Sequence, residues 1–257
     1  MANWYDYPQY FDMVFRDETA DEIAFFQEAF EKFGSGKIKR LFEPGCGSGR
    51  LLAAMAARGY EVTGLDLSQP MLNYSRRRLR RRGLEGDLIL GDMTNFKFKR
   101  KFDAAFCTFN TFRHLMTEKD AVTHLQTVAN HLRKGGLYIL GFHLIPMDAA
   151  AECTERWKAS HGGTTVNATL TVLDFERKAR AELLRVTIKA TKRSGKVERI
   201  RSEFSLRVYT AIQAKKLFAK VQDQLEIVGI YDFDYDIDEP RDFDNDLTDA
   251  LFVLKRK

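Results

Sequence analysis

Cysteine is scarce in this sequence, and its copies form no motif. The three cysteines, Cys46, Cys107 and Cys153, lie far apart and make no C-x-x-C pair. This spacing excludes a disulfide framework and a zinc site, and it is typical of a reducing compartment. We therefore expect a cytoplasmic protein without a bound metal.

Long apolar runs are also missing. The most apolar stretch, 137–147, is too short to cross a bilayer and contains a histidine. The first residues lack the basic and apolar regions of a secretory signal. We expect neither a membrane segment nor secretion.

The composition is that of a folded protein. Hydrophobic residues make up 44% and aromatic residues 12% of the 257 positions, which is enough for a sizeable core. We expect one large domain, or a domain with an insertion. The formal net charge of +5 allows anionic partners without requiring them.

A glycine-rich turn within 41–50, Leu-Phe-Glu-Pro-Gly-Cys-Gly-Ser-Gly-Arg, is the most informative stretch. An apolar lead precedes it and helix-forming residues follow, which predicts the order strand, tight turn, helix. Alternate glycines tolerate positive φ and let a ligand approach the backbone, while free N–H groups at the helix start attract polar or anionic groups. The pattern is typical of a cofactor site.

Two cofactors fit such a turn, a dinucleotide and S-adenosylmethionine. The dinucleotide fingerprint is G-x-G-x-x-G, but Arg50 stands where the third glycine would be. Glu43, at the end of the first predicted strand, suits a cationic amino-acid ligand better than a pyrophosphate. Asp66, at the end of the second, suits the ribose diol of either cofactor. These residues favour S-adenosylmethionine and leave an NAD-dependent dehydrogenase as a weaker alternative.

Strands and helices alternate through the first half of the chain. The predicted strands are 38–43, 61–67, 88–90, 102–106 and 137–142. The predicted helices are about 19–33, 48–58, 69–82 and 118–132. This alternation indicates a parallel sheet with helices on both faces.

The pattern changes after the fifth strand. Apolar and polar residues alternate in 166–172, 184–190 and 200–208, as in half-buried antiparallel strands. A capping box at 210–213 then begins another helix, and two closing strands follow near 225–231 and 250–255. We predict a main α/β domain formed by 1–147 and 210–257, with a small antiparallel β insertion, 148–209, placed after strand five.

Five ordered motifs resemble those of the Rossmann-like, class I S-adenosylmethionine-dependent methyltransferases. They are E-P-G-C-G-S-G-R, V-T-G-L-D-L-S-Q-P-M-L, G-D-M at 91–93, F-D-A-A-F-C at 102–107 and L-R-K-G-G at 132–136. The resemblance covers about 36–145. It implies a seven-stranded, mostly parallel sheet whose last strand is antiparallel. The N-terminal Y-x-x-x-F-D segment and the insertion are similar to those of small-molecule N- or O-methyltransferases, in which the insertion forms a lid.

The resemblance also implies which residues hold the cofactor. Asp66 would accept from the ribose hydroxyls and Asp92 from the adenine amino group, while 108–110 would flank the sulfonium and the substrate. The full implied set is Tyr10, Arg16, Glu43, Gly45, Gly47, Arg50, Asp66, Leu67, Met71, Asp92, Met93, Thr108, Phe109 and Asn110.

Methyl transfer from a sulfonium is an in-line displacement, which a protein assists mainly through proximity, alignment and exclusion of water. An amine or hydroxyl acceptor also needs a base, and the candidates are His114 and His143. We predict an enzyme, monomer or homodimer, that transfers a methyl group from S-adenosylmethionine to a nitrogen or oxygen atom of a small molecule, with S-adenosylhomocysteine as product. The alternatives are an RNA or protein methyltransferase and a non-catalytic S-adenosylmethionine-binding module.

Three further features have two interpretations. The arginine-rich run 76–82 falls on an outer helix without interleaved aromatic residues, so we expect a solvated face rather than a nucleic-acid site. The acidic run at 232–238 lacks the glycine and glutamate that a calcium-binding EF-hand loop requires. Trp157 would either line a pocket for an alkylammonium substrate or pack in the core of the insertion.

Overall fold

Two β-sheets organise the chain in the computed structural model, which describes residues 3–16, 19–146, 148–150 and 153–257. Within these ranges, one sheet has seven strands and the other has four. The predicted domain boundary at Met147 lies outside the described residues. None of the helices in the described ranges has the length and apolar character that crossing a membrane requires.

The larger sheet has the order β10-β11-β5-β4-β1-β2-β3. Its strands are β1 (Arg40–Pro44), β2 (Glu61–Asp66), β3 (Asp87–Leu90), β4 (Phe102–Cys107), β5 (Leu132–His143), β10 (Leu225–Tyr231) and β11 (Asp249–Arg256). The first five strands pair in parallel, and β11 is antiparallel to both β5 and β10. The predicted Rossmann-like sheet with an antiparallel last strand is therefore confirmed.

Helices cover both faces of this sheet because its strands are apolar on both sides. The helices are α2 (Thr19–Phe33), α3 (Arg50–Ala56), α4 (Gln69–Arg81), α5 (Glu118–His131) and α6 (Ala211–Ala219). Adjacent residues of β1 show the alternation, since Leu41 packs with α2, α3 and α4 while Phe42 packs in the layer of α5 and α6. Thr210 forms the predicted capping box of α6 with Gln213.

The smaller sheet is a series of antiparallel hairpins. Its strands are β6 (Thr154–His161), β7 (Thr164–Glu176), β8 (Ala181–Lys192) and β9 (Val197–Arg207), paired in that order. The three predicted antiparallel stretches lie mainly in β7, β8 and β9. We did not predict β6, an edge strand in which no residue is buried, because it lacks the clear apolar alternation of a half-buried strand.

The N-terminal segment packs on the smaller sheet. A 3-10 turn at Trp4–Asp6 and helix α1 (Pro8–Val14) contribute Trp4 and Tyr10 to an apolar cluster. The strand residues of that cluster include Val166, Val186 and Ile188. The segment therefore lies between the two sheets.

Candidate active site

The glycine turn links β1 to α3 in a backbone conformation that only glycine adopts easily. Gly45, Gly47 and Gly49 have φ values of 73°, 49° and 69°. A Cβ on Gly45 would lie 2.3 Å from Cγ2 of Thr111, whereas the space around Gly47 is open to beyond 4 Å. Gly45 and Gly47 both line a cavity, so a ligand there meets bare backbone.

Asp66 holds this turn against the end of β2. Its Oδ2 accepts from the backbone N–H of Gly47 at 2.7 Å, and its Oδ1 accepts from that of Ser68 at 2.8 Å. Burial raises the pKa of Asp66 above its ordinary value. Its carboxylate also lines the cavity, with lone pairs left for hydroxyl donors.

Apolar side chains continue the cavity wall beyond Asp66. Met71 and Met93 are buried, but the side chain of Leu67 is 71% exposed, the largest exposure among the large hydrophobic residues of the described chain. All three line the cavity. Among the described residues, the cavity wall does not include Asp92. Its carboxylate instead accepts from the backbone N–H and the hydroxyl of Thr94 at 2.7 and 2.8 Å.

Buried charges lie beneath the turn. Glu22 is fully buried, forms an ion pair with Arg50 and accepts from the hydroxyl of Thr108 at 2.8 Å. The Arg50 guanidinium also lies over the ring of Phe109, 5.1 Å from its centroid. Glu43 is 7% exposed, and its Oε2 has no hydrogen-bond partner among the described residues. Desolvation raises the pKa of Glu43 well above its usual value.

The cavity has a volume of about 1050 Å³ and extends from the glycine turn to the smaller sheet. Its walls have three sources. The N-terminal segment contributes Trp4, Tyr5, Phe11 and Phe15. The domain of the larger sheet contributes Gly45, Gly47, Arg50, Asp66, Leu67, Met71, Met93, Phe109 and Asn110. The smaller sheet contributes side chains such as Glu155, Trp157, Leu170, Glu182 and Phe204. This is room for a cofactor and a second small molecule.

His143 lies in the cavity wall with both ring nitrogens engaged. Its Nδ1 is 3.2 Å from the amide nitrogen of Asn110, and its Nε2 is 3.3 Å from Oδ1 of Asp249. Desolvation, followed by the charge of Arg113, lowers the pKa of His143 to about 4, so the ring is neutral at pH 7. The hydrogen bonds assign its proton to Nε2, which donates to Asp249 while Nδ1 accepts from Asn110.

His114 lines the same cavity with a different set of partners. Its Nε2 lies 2.9 Å from the hydroxyl oxygen of Tyr5, and its ring is 5.6 Å from that of Phe204. Desolvation and Arg113 lower the pKa of His114 to about 4, and burial raises the pKa of Tyr5. Both groups are therefore neutral at pH 7.

The structure does not bring all of the predicted site residues together. Glu43 and Thr108 lie behind the described cavity wall. Tyr10 donates from its hydroxyl to Glu198 and packs on the smaller sheet, and Arg16 pairs with Asp12 at 3.4 Å. Neither Tyr10 nor Arg16 belongs to the described cavity wall, and their place at the cofactor stays a prediction.

Helix α1 explains this difference. Phe11 and the C-cap residue of α1, Phe15, are four residues apart and so lie on one side of the helix. Both line the cavity, which leaves Tyr10 on another side of α1. The i, i+4 pair of phenylalanines was the signal in the sequence that would have identified them.

Sequence reasoning also missed a buried ion pair in the cavity wall. The Arg113 Nη2 donates to Glu182 Oε1 at 2.6 Å, and the Arg113 Nε donates to the carbonyl oxygen of Arg207 at 2.8 Å. The two partners lie 69 positions apart, Arg113 in a 3-10 turn after β4 and Glu182 on β8. No local motif could have connected them.

The prediction of a wholly solvated arginine run fails at one position. Arg78 forms an ion pair with the fully buried Asp12, and its side chain is only 13% exposed. Arg76, Arg77, Arg80 and Arg81 of the same run lie in exposed or partly exposed positions. The helical period places Arg78 alone towards α1.

Comparisons with known proteins agree with this geometry. Residues 41–136 match a family model described as a methyltransferase domain. The dTDP-3-amino-3,6-dideoxy-alpha-D-glucopyranose N,N-dimethyltransferase of Streptomyces fradiae is 31% identical over 134 residues, which cover 51% of this chain and 50% of that protein. The chain spans about half the length of the curated relatives it matches, since the match to a putative methyltransferase of Geobacillus covers 49% of that protein.

Solved structures match over nearly the whole chain. DesVI of Streptomyces venezuelae has a TM-score of 0.78 at 19% identity, covering 96% of this chain and 95% of that one. The sugar N-methyltransferase KedS8 of Streptoalloteichus has a TM-score of 0.74 at 18% identity, covering 98% and 92%. Such identities show the fold alone. The chain therefore has the Rossmann-like fold of these solved structures, and its residues 41–136 match a methyltransferase domain.

Proposed function

We propose that this protein transfers a methyl group from S-adenosylmethionine to a nitrogen or oxygen atom of a small molecule. The observation that carries the proposal is the single cavity of about 1050 Å³, which has the glycine turn at one end and His114 and His143 nearer the smaller sheet. Its enclosure by two sheets and the N-terminal segment favours a small acceptor over a polymer. The names of the curated relatives include sugar N,N-dimethyltransferases, which supports nitrogen as the acceptor atom.

The residues at the turn fit this cofactor. The unsatisfied, buried oxygen of Glu43 has a raised pKa, and a cationic amino group near it would stabilise its ionised form. Gly45 and Gly47 would let the methionine part approach the backbone, and Asp66 would accept from the ribose hydroxyls. Leu67 would cover the adenosine. When bound, the cofactor supplies an electrophilic methyl group on its sulfonium.

The acceptor's proton would pass to His114. We assign the ring proton of His114 to Nε2, where it donates to the Tyr5 hydroxyl oxygen, because Nδ1 then has a free lone pair. Since the ring is neutral at pH 7, this lone pair can hold the acceptor's N–H or O–H and take the proton as the methyl group transfers. His143, with both nitrogens engaged by Asn110 and Asp249, would position the acceptor.

Water would be excluded from two sides. We propose that the insertion, 148–209, acts as a lid over the domain formed by 1–147 and 210–257, and that the N-terminal aromatic residues close the remaining side. Trp4 packs edge-on against Phe11, with ring centroids 4.8 Å apart, and Phe15 lies 5.4 Å from Phe109. An apolar closure of this kind strengthens electrostatic interactions inside the cavity.

Leu67→Ala tests the cofactor half of the proposal. Leu67 is already exposed, so its truncation should leave the melting temperature unchanged, but loss of its contact with adenosine should weaken S-adenosylhomocysteine binding about tenfold in calorimetry. The matched control is Ile212→Ala, which removes a leucine-sized side chain that is 57% exposed and lies on α6. Unchanged affinity in Leu67→Ala would contradict this cofactor placement.

Tritium transfer tests the reaction. We expect label from [methyl-³H]S-adenosylmethionine to appear in the small-metabolite fraction of a cell extract rather than in RNA or protein. Label in a polymer fraction would support the alternative of an RNA or protein methyltransferase. Cofactor binding with transfer to no fraction would support a non-catalytic binding module.

A further inference from the structure

Charge is unevenly distributed over the cavity wall. The described lining residues carry four carboxylates and two guanidinium groups. The guanidinium groups are those of Arg50 and Arg113. The two lining histidines are neutral at pH 7. The cavity therefore has a negative formal charge although the chain as a whole has a net charge of +5.

Both guanidinium groups are already committed to buried carboxylates. Arg50 pairs with Glu22, which is fully buried, and also donates to Thr19 Oγ1 at 3.1 Å. Arg113 is 1% exposed and pairs with Glu182, which is 6% exposed. Removing one partner from such a pair leaves an uncompensated buried charge, which is strongly destabilising. Neither arginine is available to a second anion.

The described cavity wall also carries a carboxylate that is not paired with an arginine. Glu155, on β6, has no ion-pair partner among the residues that the structure describes. Desolvation raises its pKa, and the neighbouring carboxylates Asp249 and Glu182 raise it further. A cation bound beside Glu155 would offset its desolvation and the repulsion from Asp249 and Glu182.

An aromatic ring lies on the same strand as this carboxylate. Glu155 and Trp157 are two residues apart on β6 and so share one face of the strand. The rings of Tyr5 and Phe204, 6.1 Å apart, also line the cavity.

We propose that the methyl acceptor is a phosphate-free amine that enters the cavity as an alkylammonium ion, bound by Glu155 and the ring of Trp157. This inference rests on the proposed function, whose acceptor it specifies: the ammonium nitrogen first loses one N–H proton, which His114 Nδ1 accepts, and the lone pair so freed attacks the methyl group. The face of an aromatic ring attracts ammonium groups, and a nearby carboxylate strengthens the attraction. A nucleotide-linked amine would instead bring its phosphates against carboxylates and towards arginines that are already paired.

Tryptophan fluorescence tests the charge selection without a known substrate. The chain has two tryptophans, and both Trp4 and Trp157 line the cavity. We expect caesium to quench their emission more strongly than iodide, by at least about threefold after each quenching constant is divided by that of N-acetyltryptophanamide. The positive net charge of the whole chain would predict the opposite order.

Two variants show where the selectivity comes from. Glu155→Gln should remove most of the preference for caesium, while Glu176→Gln, the same change at an exposed position outside the described cavity wall, should retain it. Circular dichroism and the melting temperature would verify that both variants are folded. Equal or stronger quenching by iodide in the wild type, or a full caesium preference in Glu155→Gln, would overturn the proposal.

The acceptor itself is tested by separating tritium-labelled products on ion-exchange resins. The proposal expects label in material retained by a cation exchanger, and label retained by an anion exchanger and lost after phosphatase treatment would overturn it. If no fraction is labelled, the proposed function fails, and the quenching ratio still decides whether the cavity selects cations.

Discussion

His114 and His143 are similarly desolvated, but their hydrogen bonds give them different chemistry. Both ring nitrogens of His143 are engaged, by Asn110 and Asp249, whereas His114 has a described partner, Tyr5, on Nε2 only. A proton acceptor needs a free lone pair, and only His114 offers one in this arrangement. We therefore expect His114→Ala to reduce kcat for methyl transfer about 100-fold with little change in S-adenosylhomocysteine affinity.

The pH profile and the second histidine provide the controls. Because the pKa of His114 is lowered to about 4, its lone pair stays available as the pH falls from 8 to 6, so its protonation should not reduce the rate in that range. His143→Gln should raise KM for the acceptor more than it lowers kcat. A larger kcat loss in His143→Gln than in His114→Ala would reverse the two roles.

At the scale of secondary-structure elements, Asp12 connects three of them. This fully buried carboxylate of α1 pairs with Arg78 on α4, accepts from the hydroxyl of Tyr74 at 3.2 Å and accepts from Ser48 in the glycine turn at 3.1 Å. Asp12→Asn would leave Arg78 without its counter-charge, which should lower the free energy of unfolding by about 3–5 kcal/mol. It should also weaken cofactor binding, because α1 would no longer be held against the turn.

The matched control is Arg16→Gln, two residues after the end of α1. Arg16 also contacts Asp12, but its side chain is 41% exposed and the contact is 3.4 Å, so its loss should cost less than about 1 kcal/mol. Chemical denaturation and calorimetry with S-adenosylhomocysteine measure both variants. Equal effects of the two substitutions would contradict the assignment of Asp12 to the Arg78 contact.

Elements that depend on local sequence were predictable here, and contacts between elements were not. The glycine turn, the Pro70 start of α4 and the capping box of α6 each have a short-range physical cause. The exposed edge strand β6 carries no such signal. The pair of Arg113 with Glu182, and the burial of Arg78 by Asp12, arise only when distant segments meet. For the same reason the cofactor turn could be identified from sequence, while the charge of the acceptor wall could not.

At the scale of the whole molecule, buried neutral histidines make stability depend on pH. His124, fully buried, lies 2.8 Å from the carbonyl oxygen of Met93 and 2.7 Å from the hydroxyl of Tyr138. Its Nδ1–H donates to the former, so its Nε2 accepts from the latter. Desolvation lowers the pKa of His124 to about 4, as it does for His114 and His143. The folded chain therefore resists protons that an unfolded histidine binds below about pH 6.5.

The sign of the resulting pH dependence follows from proton binding. Between pH 6.5 and 4 the unfolded state binds more protons at His124 than the folded state, so the free energy of unfolding falls as the pH falls. From pH 7 to pH 5 this histidine alone should remove about 2 kcal/mol. The buried acids Glu43 and Asp66 have raised pKa values and act in the opposite direction, so a comparison of variants is needed to isolate the histidine.

His124→Gln provides that comparison. It removes the titrating ring but keeps a side chain with hydrogen-bonding groups, so it should be less stable than the wild type at pH 7 and lose about 2 kcal/mol less between pH 7 and pH 5. His161→Gln, at the exposed last position of β6, should keep the wild-type pH dependence. Urea denaturation at both pH values measures the difference. If His124→Gln showed the full wild-type loss, the acid sensitivity would have to come from other groups, and the neutral state assigned to the buried ring behind Met93 would be wrong.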